Sequence, residues 1–131
     1  WLVADLVRGR WDSRVVRDQM RACAASDPRG TIVSVPQDPG QAGKDQIQQI
    51  AMMLTGSVMK SKPVTGSKEV RAQGVSSAQM NGNLWLPSTG NWRGVLIQEC
   101  NAFPSGTHDD CVDALADAYN RLAGNRARLI A

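Results

Sequence analysis

The sequence predicts an α/β domain in which at least some of the strands run parallel. Short β-branched or apolar runs alternate along the chain with segments whose apolar residues recur at helical spacing. The chain has 131 residues, of which 42% are hydrophobic and 21% are charged, as expected for one globular domain. We therefore expect a single domain over residues 1–123 and a polar tail over residues 124–131.

The composition argues against several classes of protein. No apolar run approaches the ~18 residues of a membrane-spanning helix, and no secretory signal opens the sequence. The sequence contains three cysteines, Cys23, Cys100 and Cys111, and no CxxC pair. An odd number of cysteines argues against a disulfide framework. We expect a cytoplasmic setting, and the net charge of +3 permits a polyanionic partner without requiring one.

The predicted elements follow from local signals. In the first half they are a strand over residues 1–7, a helix capped by Asp12 or Ser13, a strand over residues 31–35 that stops at Pro36, and a helix over residues 44–54. In the second half they are a strand over residues 57–60, a helix over residues 68–80, a strand over residues 83–86, and helices over residues 92–100 and 109–122.

Three carboxylates open the last predicted helix. Asp109 and Asp113 share one side of it, opposite Val112 and Leu115, while Asp110 lies between them in sequence. A purely structural explanation stays open, because acidic residues in a first helical turn are favoured by the helix dipole at roughly 0.3–1 kcal/mol each.

A fourth acid, Asp38, lies just beyond the carboxyl end of the strand predicted over residues 31–35. Ligands of open α/β sheets bind at that end of the strands. Carboxylates from separate elements suit Mg²⁺ or Mn²⁺, which prefer oxygen ligands and can assist phosphodiester hydrolysis. Asp38 could equally serve as the turn residue of an Asp-Pro pair.

Other chemistries have weaker support. Gly43-Lys44 follows a strand, but Asp38 and Asp45 stand where a P-loop needs Gly and Ser or Thr. His108 and its neighbouring cysteines match no zinc-finger spacing, and no serine lies in a nucleophile elbow. Lys68 and Arg71 open a predicted helix and could contact phosphates, although a solvated helix start explains them as well.

Read together, these segments resemble the C-terminal nuclease domain of the large terminase subunit of tailed bacteriophages and prophages. The last segment reads Phe103-Pro104-Ser105-Gly106, then His108-Asp109-Asp110-Cys111-Val112-Asp113-Ala114-Leu115. The matching blocks occur in order at residues 5–11, 36–44, 66–72, 82–87 and 102–115.

The resemblance implies an RNase H-like fold, with a mixed sheet flanked by helices, and a metal-dependent endonuclease that cuts concatemeric viral DNA during packaging. By position it makes Asp38, Asp109 and Asp110 the catalytic, metal-binding acids, with Asp113 a further metal-site candidate. It implies Mg²⁺ or Mn²⁺ as cofactor and places Lys68 and Arg71 near the DNA. The implied partners are double-stranded DNA, a terminase ATPase domain, the small terminase subunit and the portal.

The sequence departs from the family pattern in one respect. A further metal-binding Asp of the family comes from a first strand upstream of the stretch that residues 5–11 resemble, and the sequence contains no counterpart. We therefore expect a sheet lacking its first strands, belonging either to a nuclease whose upstream part lies outside this sequence or to a non-catalytic packaging or docking module.

Overall fold

The computed structural model describes residues 1–126. The chain divides into two compact units. We call residues 9–65 the strand unit, and we call residues 1–8 together with the chain from residue 66 onward the helical unit.

The strand unit alternates helices and strands. Its elements are α1 (Ser13–Ser26), β1 (Ile32–Gln37), α2 (Gln41–Met53) and β2 (Val58–Pro63). Strands β1 and β2 pair in parallel, with Ile32 opposite Val58 and Gln37 opposite Pro63. The prediction of an α/β fold with parallel strands is therefore confirmed.

Local signals account for the helix starts in this unit. The Asp12 carboxylate accepts hydrogen bonds from the backbone amides of Arg14 and Val15, both at 2.9 Å, so the predicted cap of α1 is confirmed. Helix α2 begins at Gln41, earlier than the predicted residue 44, directly after Gly40 with a φ of 94°. Glycine adopts this left-handed conformation without the steric cost of a Cβ.

Strand β1 runs through Pro36 instead of stopping there, and Pro36 lies opposite Lys62 in the ladder. Proline removes a single amide donor, and its fixed φ is compatible with an extended strand that has a free side. The other strand, β2, likewise extends past its predicted end at residue 60, to Pro63.

The helical unit contains α3 (Lys68–Met80), α4 (Arg93–Ala102) and α5 (Asp110–Arg126). Their buried side chains are mostly small, among them Ala72, Ala78 and Ala116. Gly74 lies against α5 so closely that a Cβ there would stand 2.8 Å from Cε1 of Tyr119. Small residues on the facing sides therefore bring α3 and α5 close together, which positions the charged residues at their starts.

The prediction of strands over residues 1–7 and 83–86 is wrong. Leu2 and Trp85 form only an isolated parallel bridge, in which the amide of Val3 donates to the carbonyl of Trp85 at 3.0 Å. Leu2 and Trp85 remain 66% and 65% exposed. A β-prone segment becomes a strand only where a neighbour continues the ladder, and Pro87 offers no amide to extend this one.

Helix α5 continues to Arg126, beyond its predicted end at residue 122. Of the predicted polar tail over residues 124–131, residues 127–131 lie outside the described part of the chain. Among the described helices, none is long and apolar enough to cross a membrane.

Candidate functional site

The candidate site lies at the starts of α3 and α5. Ser67 caps α3 by accepting a hydrogen bond from the amide of Val70 at 3.3 Å, so Lys68 is the first residue of the helix. Asp109 directly precedes α5, and its carbonyl accepts from the amide of Asp113 at 2.9 Å. Asp109 thus occupies the N-cap position of α5.

Lys68 joins two of the predicted metal-site acids. Its ammonium nitrogen lies 2.8 Å from Oδ1 and 2.7 Å from Oδ2 of Asp109, and 3.3 Å from Oδ2 of Asp113. The Lys68 side chain is 47% exposed, whereas those of Asp109 and Asp113 are 25% and 31% exposed. Two half-buried carboxylates therefore converge on one positive centre.

Arg71 fixes the other side of Asp113. Its guanidinium donates to Oδ1 of Asp113 at 2.8 Å and to the carbonyl of Gly66 at 3.1 Å. The backbone carbonyl of Arg71 accepts from the Asn120 amide group at 2.8 Å. Because these contacts join α3, α5 and the turn before α3, the orientation of Asp113 depends on Arg71.

The carboxylates shift the pKa of the lysine. The hydrogen bond that Lys68 donates to Asp109, followed by the one it donates to Asp113, raises the pKa of Lys68 above its usual 10.5 because both stabilise the charged ammonium. Lys68 is therefore fully protonated at neutral pH. We name Lys68, Arg71, Asp109 and Asp113 the helix-start cluster.

The other two predicted acids are both exposed. Asp110 is the exposed first residue of α5. Asp38 is exposed in the turn between β1 and α2 of the strand unit. A Cβ on Gly43 would overlap the Asp38 carbonyl oxygen, so glycine allows α2 to start close against this turn. The structure thus brings Asp109 and Asp113 together within the helical unit.

Glu99 of α4 is a charged residue that the sequence reasoning missed. It is 5% exposed, and its Oε1 accepts hydrogen bonds from the backbone amides of Cys111 and, at 3.4 Å, Val112. Arg8 lies 3.5 Å from its other carboxylate oxygen. A signal was present, because Glu99 follows the core residue Leu96 by three positions and so lies on the buried face of α4.

The donor set can be compared with the needs of a divalent cation. The carboxylates of Asp109 and Asp113 both contact the Lys68 ammonium. Their oxygen atoms are ligands of the kind that hard cations prefer, and the two groups are close enough to contact the same positive charge. Residues 1–126 contain no group of three or more histidine, cysteine or acidic side chains placed to hold a metal ion. A Mg²⁺ ion commonly binds through one or two carboxylates and completes its shell with water and substrate phosphates.

The five helices and the pair of parallel strands define the described part of the chain as α/β. The chain belongs to the terminase RNaseH-like domain family, whose model matches residues 1–122. This confirms the resemblance to the C-terminal nuclease domain of a terminase and supports a nuclease-type role. The chain matches no curated protein and no solved structure.

Proposed function

We propose that this chain is the metal-dependent endonuclease domain of a phage or prophage terminase large subunit, which cuts concatemeric viral DNA during genome packaging. One observation carries the proposal: in a chain of the terminase family, Asp109 and Asp113 direct their carboxylates at a single positive centre. Such convergence in a phosphodiesterase family supports a cation-binding role for these acids.

The acids have distinct roles in this proposal. Asp38, Asp109 and Asp110 would hold Mg²⁺ or Mn²⁺, and Asp113 is a further candidate ligand. A bound divalent cation polarises the scissile phosphate and lowers the pKa of the attacking water. Asp113 is oriented for this task by its hydrogen bond from Arg71.

Lys68 and Arg71 give the site its affinity for nucleic acid. Both lie beside the acids, and the Lys68 side chain is 47% exposed. Their positive charges suit phosphate groups of either strand, which favours contacts to the DNA backbone without sequence preference. The remaining partners in the proposal are the terminase ATPase domain, the small terminase subunit and the portal.

A plasmid-nicking assay with Mn²⁺ or Mg²⁺ tests the proposal on the full gene product that carries this chain. We expect Asp38→Ala, Asp109→Ala and Asp110→Ala each to abolish nicking. Asp18→Ala is the matched control, because Asp18 is an exposed acid paired with Arg21 on α1. Retained nicking in any of the three variants removes that residue from the catalytic set, and an inactive wild type contradicts the proposed activity.

The second candidate function is a packaging or docking module that binds DNA or partner subunits without cutting. This alternative is favoured because Lys68 and Arg71 form ion pairs with Asp109 and Asp113 and already balance the charge of the two carboxylates. A module of this kind retards duplex DNA in a gel without nicking it and takes up no Mn²⁺ in calorimetry. Nicking activity by the full gene product excludes this alternative.

A further inference from the structure

The start of α5 is capped by a residue from another helix. The amides of Cys111 and Val112 are the second and third of α5, and both donate to Oε1 of Glu99 on α4. These early amides have no acceptor within their own helix. They are also the groups that the side chain of an N-cap residue ordinarily binds.

Asp109 holds the N-cap position, and aspartate is among the strongest N-cap residues. Its carboxylate nevertheless does not cap α5. Both of its oxygens accept from the ammonium of Lys68, at 2.8 and 2.7 Å. Glu99 has therefore taken over the amides that would otherwise compete with a cation for the carboxylate of Asp109.

Arg8 makes this arrangement electrostatically tolerable. Glu99 is 5% exposed, and a buried carboxylate is costly unless positive groups compensate it. The positive end of the α5 dipole meets one oxygen, and the Arg8 guanidinium lies 3.5 Å from the other. None of the described residues donates a hydrogen bond to that second oxygen, so Arg8 compensates it by its charge.

We propose that Glu99 is a positioning residue: it caps α5 in place of Asp109 and so leaves the Asp109 carboxylate available to bind a cation. The capping part stands on the geometry, and its consequence for metal binding rests on the proposed nuclease function. When Glu99 is lost, the Asp109 side chain turns back onto the amides of Cys111 and Val112 and leaves the cation site.

Urea unfolding tests the exchange of caps without any measurement of activity. When Glu99 is present, we expect Asp109→Ala to lower the urea midpoint only because the contact with Lys68 is lost. In a protein that already carries Lys68→Met, Asp109→Ala should therefore have little further effect on the midpoint. In the Glu99→Ala background, Asp109 becomes the cap of α5. Asp109→Ala should then lower the urea midpoint by more than it does when Glu99 is present. The larger decrease should occur whether or not Lys68→Met is also introduced. Equal effects of Asp109→Ala in both backgrounds overturn the proposal.

A milder variant covers the case in which Glu99→Ala does not fold. The neutral amide of Glu99→Gln is a weaker acceptor, so the amide protons of Cys111 and Val112 should exchange with solvent faster than in the wild type. Unchanged exchange at both positions overturns the capping role. Gln98→Ala is the control, because Gln98 is an exposed neighbour on the same helix.

The consequence for the proposed activity is measured separately on the full gene product. We expect Glu99→Gln or Glu99→Ala to raise the Mn²⁺ concentration that gives half-maximal nicking by about tenfold or more, as for other groups that orient metal ligands. An unchanged Mn²⁺ requirement overturns the link to metal binding. An inactive wild type contradicts the nuclease function instead, and the unfolding cycle still decides the capping role.

Discussion

The ammonium of Lys68 lies 2.7 Å from Oδ2 of Asp109, although the two residues are 41 positions apart in the sequence. The contact joins the first residue of α3 to the residue that precedes α5. Because the same ammonium also reaches Asp113 at 3.3 Å, Lys68 occupies the point at which both carboxylates could share a cation.

Removal of the ammonium should strengthen metal binding. In Lys68→Met the two carboxylates lose an internal competitor, so we expect Mn²⁺ to bind several-fold more tightly in calorimetry without DNA. Lys44→Met, at an exposed position on α2, is the control for loss of a positive charge. Unchanged or weaker binding in Lys68→Met means that the ammonium and the metal do not share these ligands.

Alkaline pH should weaken the same contact. The hydrogen bonds that Lys68 donates to Asp109 and Asp113 raise the pKa of Lys68 above 10.5, so the stabilisation from these contacts is fully present below that pH. The stabilisation is lost as the pH rises through the higher pKa of the folded state. The difference in unfolding free energy between the wild type and Lys68→Met should therefore stay constant from neutral pH to about 10 and then shrink. A difference that grows above pH 10.5 contradicts this assignment.

Arginine is required at position 71. Lysine keeps the charge but cannot donate to both Asp113 and the Gly66 carbonyl with the geometry of a guanidinium. We expect Arg71→Lys to lower the unfolding free energy by about 1 kcal/mol in urea denaturation, because these bonds are partly exposed. An unchanged unfolding free energy means that the two contacts do not contribute.

Cys111 should behave as a protonated, protected thiol. Burial, followed by its hydrogen bond with Glu99, raises the pKa of Cys111 from 9.0 to about 11. Between these values the thiol ionises in the unfolded chain but not in the folded one, so stability falls as the pH rises. We expect Cys111→Ala to be less sensitive to pH over this range in urea denaturation. If the wild type and Cys111→Ala show the same dependence of stability on pH, the raised pKa of Cys111 is contradicted.

The turn that carries Asp38 depends on Gly43. A Cβ at position 43 would overlap the Asp38 carbonyl oxygen, so Gly43→Ala must displace the turn or the start of α2. We expect a loss of about 1–3 kcal/mol in unfolding free energy, together with reduced nicking. Gly94→Ala is the matched control, because a Cβ at that helical position has no atom within 4 Å. Equal stability of the two variants contradicts the close approach.

The helices could be predicted because their signals are local. Asp12 and Ser67 each cap the helix that begins at the next residue, and the bounds of α3 were predicted correctly. The strands over residues 1–7 and 83–86 could not be settled in this way, since a strand depends on a partner distant in the sequence. In the part of the chain that the structure describes, these two segments form a single bridge, between Leu2 and Trp85.

In the candidate site, too, the local features could be predicted from the sequence and the long-range contacts could not. Asp109 and Asp113 are four residues apart, so helical periodicity alone places them on one side of α5. The pairing with Lys68 and the cap from Glu99 require helix packing that no local pattern encodes. The roles of Asp38, Asp109 and Asp110 in catalysis stay predictions.

Mn²⁺ binding to the full gene product tests the central claim most directly, with Asp109→Asn compared with the wild type. The loss of free Mn²⁺ signal in electron paramagnetic resonance reports binding without DNA or activity. We predict saturable binding by the wild type, retained in Asp18→Asn and lost or greatly weakened in Asp109→Asn. Binding that is absent from the wild type, or unchanged in Asp109→Asn, would contradict a metal site at the start of α5.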